Sequence, residues 1–154
     1  EMCIRDRYKQ ELLNSIPVVT GMEIDIKNID KFEISLTAPL STNINYEGTA
    51  FGGSLNTLCI LASYLMTHHS VKSEKLELSS LVIQDSSIQY LKPVQDDFIA
   101  TARIDEKELN RFLGLISVKG KSRLNVEATI STLNDTELVK FKGRFVAKID
   151  LANS

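Results

Sequence analysis

The stretch NINYEGTAFGGSLNTL, residues 43–58, decides how this chain folds. It places three of the seven glycines in a short span and then runs directly into an apolar segment. In that segment, residues 53–69, apolar side chains cover nearly every face of a helix, and such a helix is buried on most sides. The rest of the chain must therefore form a layer around one long helix of about 25 Å, at about 1.5 Å per residue.

The segments around this helix alternate apolar and polar residues, which is the pattern of half-buried strands. Residues 18–30 and 31–38 predict a first hairpin that turns at residues 28–30, and a short helix is predicted before it at residues 5–15. Four more strands are predicted after the central helix, over residues 81–94, 97–109, 112–133 and 137–150. Strands that are segregated from one central helix form an α+β domain. We therefore predict a hotdog fold, in which an antiparallel sheet of five to six strands wraps around one long central helix.

The composition excludes several classes of function. With a formal net charge of −2, the chain has no basic surface of the kind that binds nucleic acid. Its longest apolar segment is interrupted by polar residues such as Ser63 and Thr67, so it is too short and too polar to span a membrane. The sequence has no CxxC motif and no cysteine–histidine cluster, and it predicts neither a metal site nor a cofactor. Cys59, inside the apolar run, is predicted to be a core residue.

One domain accounts for the 154 residues. We place this domain at residues 16–150 and treat residues 1–15 as an N-terminal extension or short helix. Residues 2–7, MCIRDR, look like a translated sequencing-adapter read, so residues 1–7 are candidates for non-native sequence and stay outside the functional hypotheses. Since neither a signal peptide nor a disulfide framework is visible, the expected location is the cytoplasm.

The glycine-rich loop fits neither a phosphate loop nor a nucleophile turn. Gly48 and Gly53 have the spacing of a phosphate loop, but Ser54 and Leu55 follow where Lys and Ser or Thr are required. A nucleophile elbow needs the pattern GxSxG, which this stretch does not contain. The loop must therefore serve another purpose.

Two interpretations of Gly52 and Gly53 remain open at this level. Backbone N–H groups are free at a helix N-terminus, where the positive end of the helix dipole also lies. Glycine lets a substrate carbonyl approach these amides closely, which is the outline of an oxyanion hole. Alternatively, the two glycines only allow the helix to start between loop and sheet without a steric clash.

Three segments of the chain resemble a known family. They are PLSTNINYEGTAFGGSL (Pro39–Leu55), IQYLKPV (Ile88–Val94) and GRFVA (Gly143–Ala147), and they are similar to the thioesterase domain at the C-terminus of bacterial YiiD-type proteins. The resemblance covers residues 16–150. It implies a hotdog homodimer, with a tetramer left open, that acts on acyl thioesters of coenzyme A or acyl carrier protein.

A comparison with the hotdog thioesterases of the phenylacetate pathway implies roles for the loop. Those proteins carry an asparagine, a His-Gly-Gly motif six residues later, and an aspartate seven residues after the last glycine. Asn45 and Gly52–Gly53 keep this register, whereas Phe51 replaces the histidine and Ile60 replaces the aspartate. The resemblance implies that the Gly53 amide is kept as the oxyanion donor, with Asn45 as a positioning group, and that the usual base on the helix is missing.

A carboxylate must then activate water if the protein is a hydrolase. Asp85 is the first candidate, because it lies in a predicted strand with apolar residues on both sides. Ser87, two residues later, is predicted to lie on the same face of that strand. We expect Asp85 to act across a dimer interface on a thioester held at Gly53. The alternative is that Asp85 is a solvated edge residue. Glu47, in the loop beside Asn45, is the second candidate for the base.

The remaining site predictions concern substrate binding. Six residues are predicted to shape or line the pocket; they are Asn43, Phe51, Gly52, Ser54, Tyr90 and Lys92. The Lys92 cation is predicted to contact a phosphate of coenzyme A. Two functions stay open, an acyl thioester hydrolase and a non-hydrolytic module that binds acyl-CoA or acyl carrier protein and lacks a competent base. A hotdog dehydratase is disfavoured because it needs a catalytic histidine, and Phe51 replaces the histidine of the motif.

Overall fold

One long helix and a curled antiparallel sheet form most of the molecule. The computed structural model describes residues 2–151. Its elements in chain order are α1 (Ile4–Ser15), a 3-10 helix (Pro17–Met22), β1 (Asp25–Ile29), β2 (Glu33–Ala38), α2 (Gly52–Ser73), β3 (Leu78–Tyr90), β4 (Phe98–Arg103), α3 (Glu106–Lys119), β5 (Lys121–Ser131) and β6 (Val139–Ile149). The six strands form one sheet in the order β1-β2-β4-β5-β6-β3, and all neighbours are antiparallel.

The central helix α2 is buried because it has no polar face. Its 22 residues extend about 33 Å, at about 1.5 Å per residue, which is longer than the predicted helix over residues 53–69. Strands β2 to β6 all pack against it, and Leu58, Cys59 and Met66 are completely buried. This arrangement confirms the predicted α+β hotdog fold and the place of Cys59 in the core.

The first strand is shorter than the alternation in residues 18–30 indicates. Pro17 fixes its backbone φ at the start of the 3-10 helix, and Glu23 follows that helix in a left-handed conformation with φ 54°. Strand β1 therefore begins only at Asp25. The predicted hairpin from β1 to β2 forms, with Ile29 opposite Ile34, but its turn lies at residues 30–32 instead of 28–30.

Helix α3 corrects the largest error of the sequence analysis, which predicts strands over residues 97–109 and 112–133. The Asp105 side chain caps the helix by accepting a hydrogen bond from the Glu108 amide at 3.3 Å, and Gly120, with φ 73°, ends it. The buried residues of α3 follow helical spacing; they are Leu109, Phe112 and Ile116. The Asp-x-x-Glu pattern and the glycine are helix signals in the sequence, but the apolar run between them has the composition of a strand.

The N-terminal helix α1 packs against β1 and reaches the C-terminal half of α2. It forms as predicted, and it buries Tyr8. The Tyr8 hydroxyl lies 2.9 Å from Nδ1 of His69, and the rings of Tyr8 and His68 meet edge to face. Burial lowers the pKa of both histidines, and the Lys72 cation lowers the pKa of His68 further. Of the helices in the described part of the chain, none is both long and apolar enough to cross a membrane.

Strand β3 lies at one edge of the sheet and carries a β-bulge. Within residues 2–151 it pairs with β6 on one side and with no strand on the other. The register shifts between Ile83 and Asp85, so side chains beyond the shift lie on the faces opposite to those that strict alternation predicts. This bulge decides which residues of β3 face α2.

Candidate active site

The glycine pair begins the central helix. Gly52 and Gly53 are the first two residues of α2, and Phe51 is its N-cap, in an extended conformation. The Phe51 amide donates to the Asn43 carbonyl at 2.7 Å. The next three amides, of residues 52 to 54, have no acceptor within the helix, as at every helix N-terminus, and no other acceptor in residues 2–151 takes their hydrogen bonds. These N–H groups, at the positive end of a long helix dipole, are open to an anionic or carbonyl ligand.

Two asparagines hold the loop that leads to the glycines. Asn43 is buried, and its Nδ2 donates to two backbone carbonyls at 3.0 and 2.8 Å. Asn45 Nδ2 donates to Thr49 Oγ1 at 2.9 Å, while its Oδ1 accepts from the amides of Glu47 and Thr49. Gly48, between Glu47 and Thr49, allows the tight turn after Asn45 through its positive φ of 79°. Both asparagines are thus engaged with the loop, and the predicted positioning role of Asn45 stays a prediction.

A cleft of about 460 Å³ opens beside the glycines. Residues 49, 50, 52, 53 and 55 form one wall, and residues 90–94, at the end of β3 and beyond it, form the other. The amides of Leu91 and Lys92 both donate to the Leu138 carbonyl, which ties the second wall to the start of β6. A mainly apolar cleft of this volume suits a small ligand or the reacting end of a larger one. It brings together four of the predicted site residues, which are Gly52, Gly53, Tyr90 and Lys92.

Tyr90 joins the two walls of the cleft. Its hydroxyl donates to the Gly52 carbonyl oxygen at 3.0 Å. A Cβ built on Gly52 would lie 3.5 Å from the Tyr90 ring, at ordinary van der Waals distance. Burial, and after it the nearby Cys59, raises the pKa of Tyr90, so the hydroxyl remains a protonated donor. Burial also raises the pKa of the Cys59 thiol to about 12, which excludes a thiolate nucleophile there at neutral pH.

The Phe51 side chain lies against the backbone of Gly53. A Cβ at this position would lie only 2.9 Å from Cζ of the Phe51 ring and still closer to its Cε2. The ring therefore covers one side of the Gly53 backbone at the start of α2. Ser54, the third residue of the helix, is half-buried and does not line the cleft. Neither of these two predicted substrate contacts lines the cleft, although the Phe51 ring lies against Gly53.

Asp85 and Ser87 lie on the outer face of the sheet, away from the glycines. In the register beyond the bulge, Asp85 is opposite Arg144 and Ser87 is opposite Lys142, and both basic residues are exposed. The alternate positions of β6, such as Phe145, are buried on the side of α2. Within one chain, Asp85 is therefore not brought to the cleft, because the bulge reverses the face that alternation assigns to it. Its predicted action across a subunit interface stays a prediction.

Glu47 is exposed in the loop that leads to the glycine pair. Its amide takes part in the hydrogen bonds of the loop, and Thr49, two residues further on, lines the cleft. Among residues 2–151, no carboxylate or histidine lines the cleft itself. The site in one chain therefore combines a helix start that attracts negative charge with an apolar wall, and exposed Glu47 is two residues from the cleft-lining Thr49 in sequence.

Asn56 is a polar residue near the site that the sequence analysis did not single out. It lies one turn into α2, and its Oδ1 is shielded from solvent without a hydrogen-bond partner in the described chain. Buried amide oxygens are normally hydrogen-bonded, so the unpartnered Oδ1 distinguishes Asn56, although this residue does not line the cleft. The available signal was an amide side chain just after the glycines in an otherwise apolar run.

The curled sheet, the buried helix and the amides that open on a cleft define a hotdog-fold protein. Residues 6–149 match the model of the family described as "Putative thioesterase (yiiD_Cterm)". The chain therefore belongs to this putative thioesterase family, as its sequence motifs indicated.

Solved structures show the same architecture. The protein OLEI01261 of unknown function from Chlorobaculum tepidum TLS is 29% identical, with a TM-score of 0.85 over 94% of each chain. A putative thioesterase from Shewanella oneidensis is 26% identical, with a TM-score of 0.80 over 94% of this chain and 96% of that one. PA5026 from Pseudomonas aeruginosa, described as a probable thioesterase, shares the fold at 15% identity, with a TM-score of 0.79 over 93% of this chain and 94% of that one. Among curated proteins, none matches this chain.

Proposed function

We propose that the protein is a cytoplasmic hydrolase that cleaves an acyl thioester of coenzyme A or acyl carrier protein into the free acid and the thiol. The observation that carries this proposal is the pair of free amides at Gly52 and Gly53, which open on the cleft at the positive end of α2. Membership of the putative thioesterase family supports it at the level of the reaction class.

The amides stabilise negative charge on the reacting carbonyl oxygen. Water attacks the thioester carbon, a C–O bond forms, and the carbonyl oxygen becomes an anion that accepts a hydrogen bond from the Gly53 N–H. A preorganised donor of this kind contributes about 10²- to 10³-fold to the rate. When the intermediate collapses, the C–S bond breaks, and the proton taken from water goes to the sulfur. The acyl group lies against the apolar wall, and exposed Lys92 meets a phosphate of the carrier.

Water activation requires a carboxylate, and we assign it to Glu47 ahead of Asp85. Glu47 is exposed on the loop whose Thr49, two residues later, lines the cleft. Asp85 is opposite Arg144 on the outer face and would have to act from a second subunit. The loop position therefore favours Glu47.

We propose a homodimer formed through β3. This edge strand has 13 residues, and in the described part of the chain it pairs on one side only. Val82 and Ile83, which are 55% and 38% exposed, add apolar surface to its free backbone groups. Long exposed edge strands with apolar side chains pair readily with other chains, so a second copy of β3 is the natural partner.

Thiol release from a panel of acyl-CoA substrates of increasing chain length tests the proposed function. We expect turnover of at least one substrate by the wild type. Glu47→Gln should lower kcat by about 10²-fold or more, whereas Asp85→Asn, the matched change on the outer face, should leave it nearly unchanged. The reverse result would move the base to Asp85, and unchanged turnover in both variants would remove both carboxylates from the mechanism.

A second candidate function is a non-hydrolytic module that binds acyl-CoA or acyl carrier protein. It is favoured by the lining of the cleft, which in the described chain holds no carboxylate or histidine. Calorimetric binding of an acyl-CoA, together with the absence of thiol release at every chain length, would establish this function and contradict the hydrolase.

A further inference from the structure

The hydrogen bond from Tyr90 acts on the same peptide group that supplies the oxyanion donor. The carbonyl of Gly52 and the amide of Gly53 belong to one peptide unit, which is planar. This unit is trans, like every peptide bond in residues 2–151, so its C=O and N–H point in opposite directions. Tyr90 donates to the oxygen at 3.0 Å, and the N–H at the other end is the free group at the helix start.

We propose that Tyr90 is a positioning residue for the oxyanion donor: it holds the Gly52–Gly53 peptide plane so that the Gly53 N–H points at the reacting carbonyl oxygen. This inference rests on the proposed function. Glycine backbones are permissive and helix ends fray, so two glycines at a helix start leave their peptide unit free to tilt. A second hydrogen bond to the carbonyl, from outside the helix, restricts this tilt further than the helical bond alone. It also polarises the N–H, since hydrogen bonds in series strengthen one another by about 10–30% per bond.

The surroundings of Tyr90 keep its hydroxyl in place. Tyr90 is the last residue of β3 and is opposite Val139 in the register with β6. The next two amides, of Leu91 and Lys92, donate to the Leu138 carbonyl at 2.9 and 3.2 Å, which anchors the chain directly after the tyrosine. A helix carbonyl has two lone pairs, so Gly52 can accept from Tyr90 in addition to the amide four residues on. These contacts hold residues 90–92 in place and keep the Tyr90 hydroxyl within hydrogen-bond distance of the Gly52 carbonyl.

Tyr90→Phe tests this positioning role, because it keeps the ring and removes only the hydroxyl. We expect kcat on the best acyl-CoA substrate to fall about 10-fold, less than the 10²- to 10³-fold of a lost donor, while KM stays close to that of the wild type. The matched control is Tyr46→Phe, since Tyr46 is fully exposed in the same loop region and its hydroxyl bonds to no group in the described chain. This control should keep wild-type kcat. Both variants are assayed well below their melting temperatures.

Amide NMR supplies a readout that does not depend on turnover. In ¹⁵N-labelled protein, we expect the Gly53 amide resonance to move upfield in Tyr90→Phe, and to move more than the amides of Gly21 and Gly114, which lie in other elements. A Gly53 shift no larger than these, or a change in KM without a change in kcat, would contradict the positioning role of Tyr90. If the wild type hydrolyses no thioester, only the proposed function fails, and the Gly53 resonance still decides whether Tyr90 orients the peptide.

Discussion

Replacement of Gly53 by alanine is the most direct test of the oxyanion hole. The Cβ of a helical residue tilts toward the helix N-terminus, which here is the side of the free amides. At residue 53 this atom would lie 2.9 Å from Cζ and 3.1 Å from Cδ2 of Phe51, so the exposed ring must turn aside. A non-ideal rotamer costs about 0.5–1.5 kcal/mol, whereas alanine gains up to about 1 kcal/mol over glycine in a helix. Since the two effects oppose each other, the free energy of unfolding should change by less than about 1 kcal/mol.

Catalysis should respond far more strongly than stability. The new methyl group and the displaced ring occupy the space through which a carbonyl oxygen reaches the Gly53 amide. We expect kcat/KM to fall about 10²-fold, which corresponds to about 2.7 kcal/mol of transition-state stabilisation. Thiol release and urea denaturation, measured on the same sample, separate the two effects.

The matched control for this experiment is Gly52→Ala. Its Cβ would meet the Tyr90 ring at 3.5 Å, an ordinary contact, and it should cost much less activity than Gly53→Ala. Wild-type kcat/KM in Gly53→Ala at unchanged stability would show that the Gly53 amide is not the oxyanion donor.

Other perturbations test the fold and its response to pH. A Cβ on Gly143 would lie 2.9 Å from Cε1 of Phe141 in the core, so Gly143→Ala should lower the free energy of unfolding by about 1–3 kcal/mol in urea denaturation. Gly114 in α3 has open space around it, so Gly114→Ala should raise this free energy by about 0.5–1 kcal/mol, and a loss instead would contradict the helix. Burial lowers the pKa of His68 and His69 in the folded protein below 6.5, so the unfolded chain binds more protons. The free energy of unfolding should therefore be at its full value above about pH 6.5 and should fall as the pH falls toward the folded-state pKa values. Melting temperatures between about pH 8 and pH 5 measure this loss; His68→Gln should flatten it, and an unchanged slope would exclude that histidine.

Local patterns in the sequence are enough to predict the central helix and the layer around it. The helix that starts at Gly52 is apolar on every face, and only a structure wrapped around it removes those side chains from water. Alternation in residues 31–38 predicts β2 because side chains at every second position of a strand face one core. Helix α3 escapes prediction although Asp105 and Gly120 are cap signals, since a short apolar run does not distinguish a helix from a strand by its periodicity.

Only the tertiary structure decides which side chains meet at the site. The bulge between Ile83 and Asp85 reverses the faces of the rest of β3, and it exists through pairing with β6, which lies far away in sequence. The hydrogen bond from the Tyr90 hydroxyl to the Gly52 carbonyl likewise joins residues that are 38 positions apart in the sequence. Free amides are a local property of any helix start, so the sequence alone determines that the start of α2 attracts negative charge. The wall opposite those amides, and the orientation of the Gly53 N–H, depend on contacts between distant segments, which no local pattern specifies.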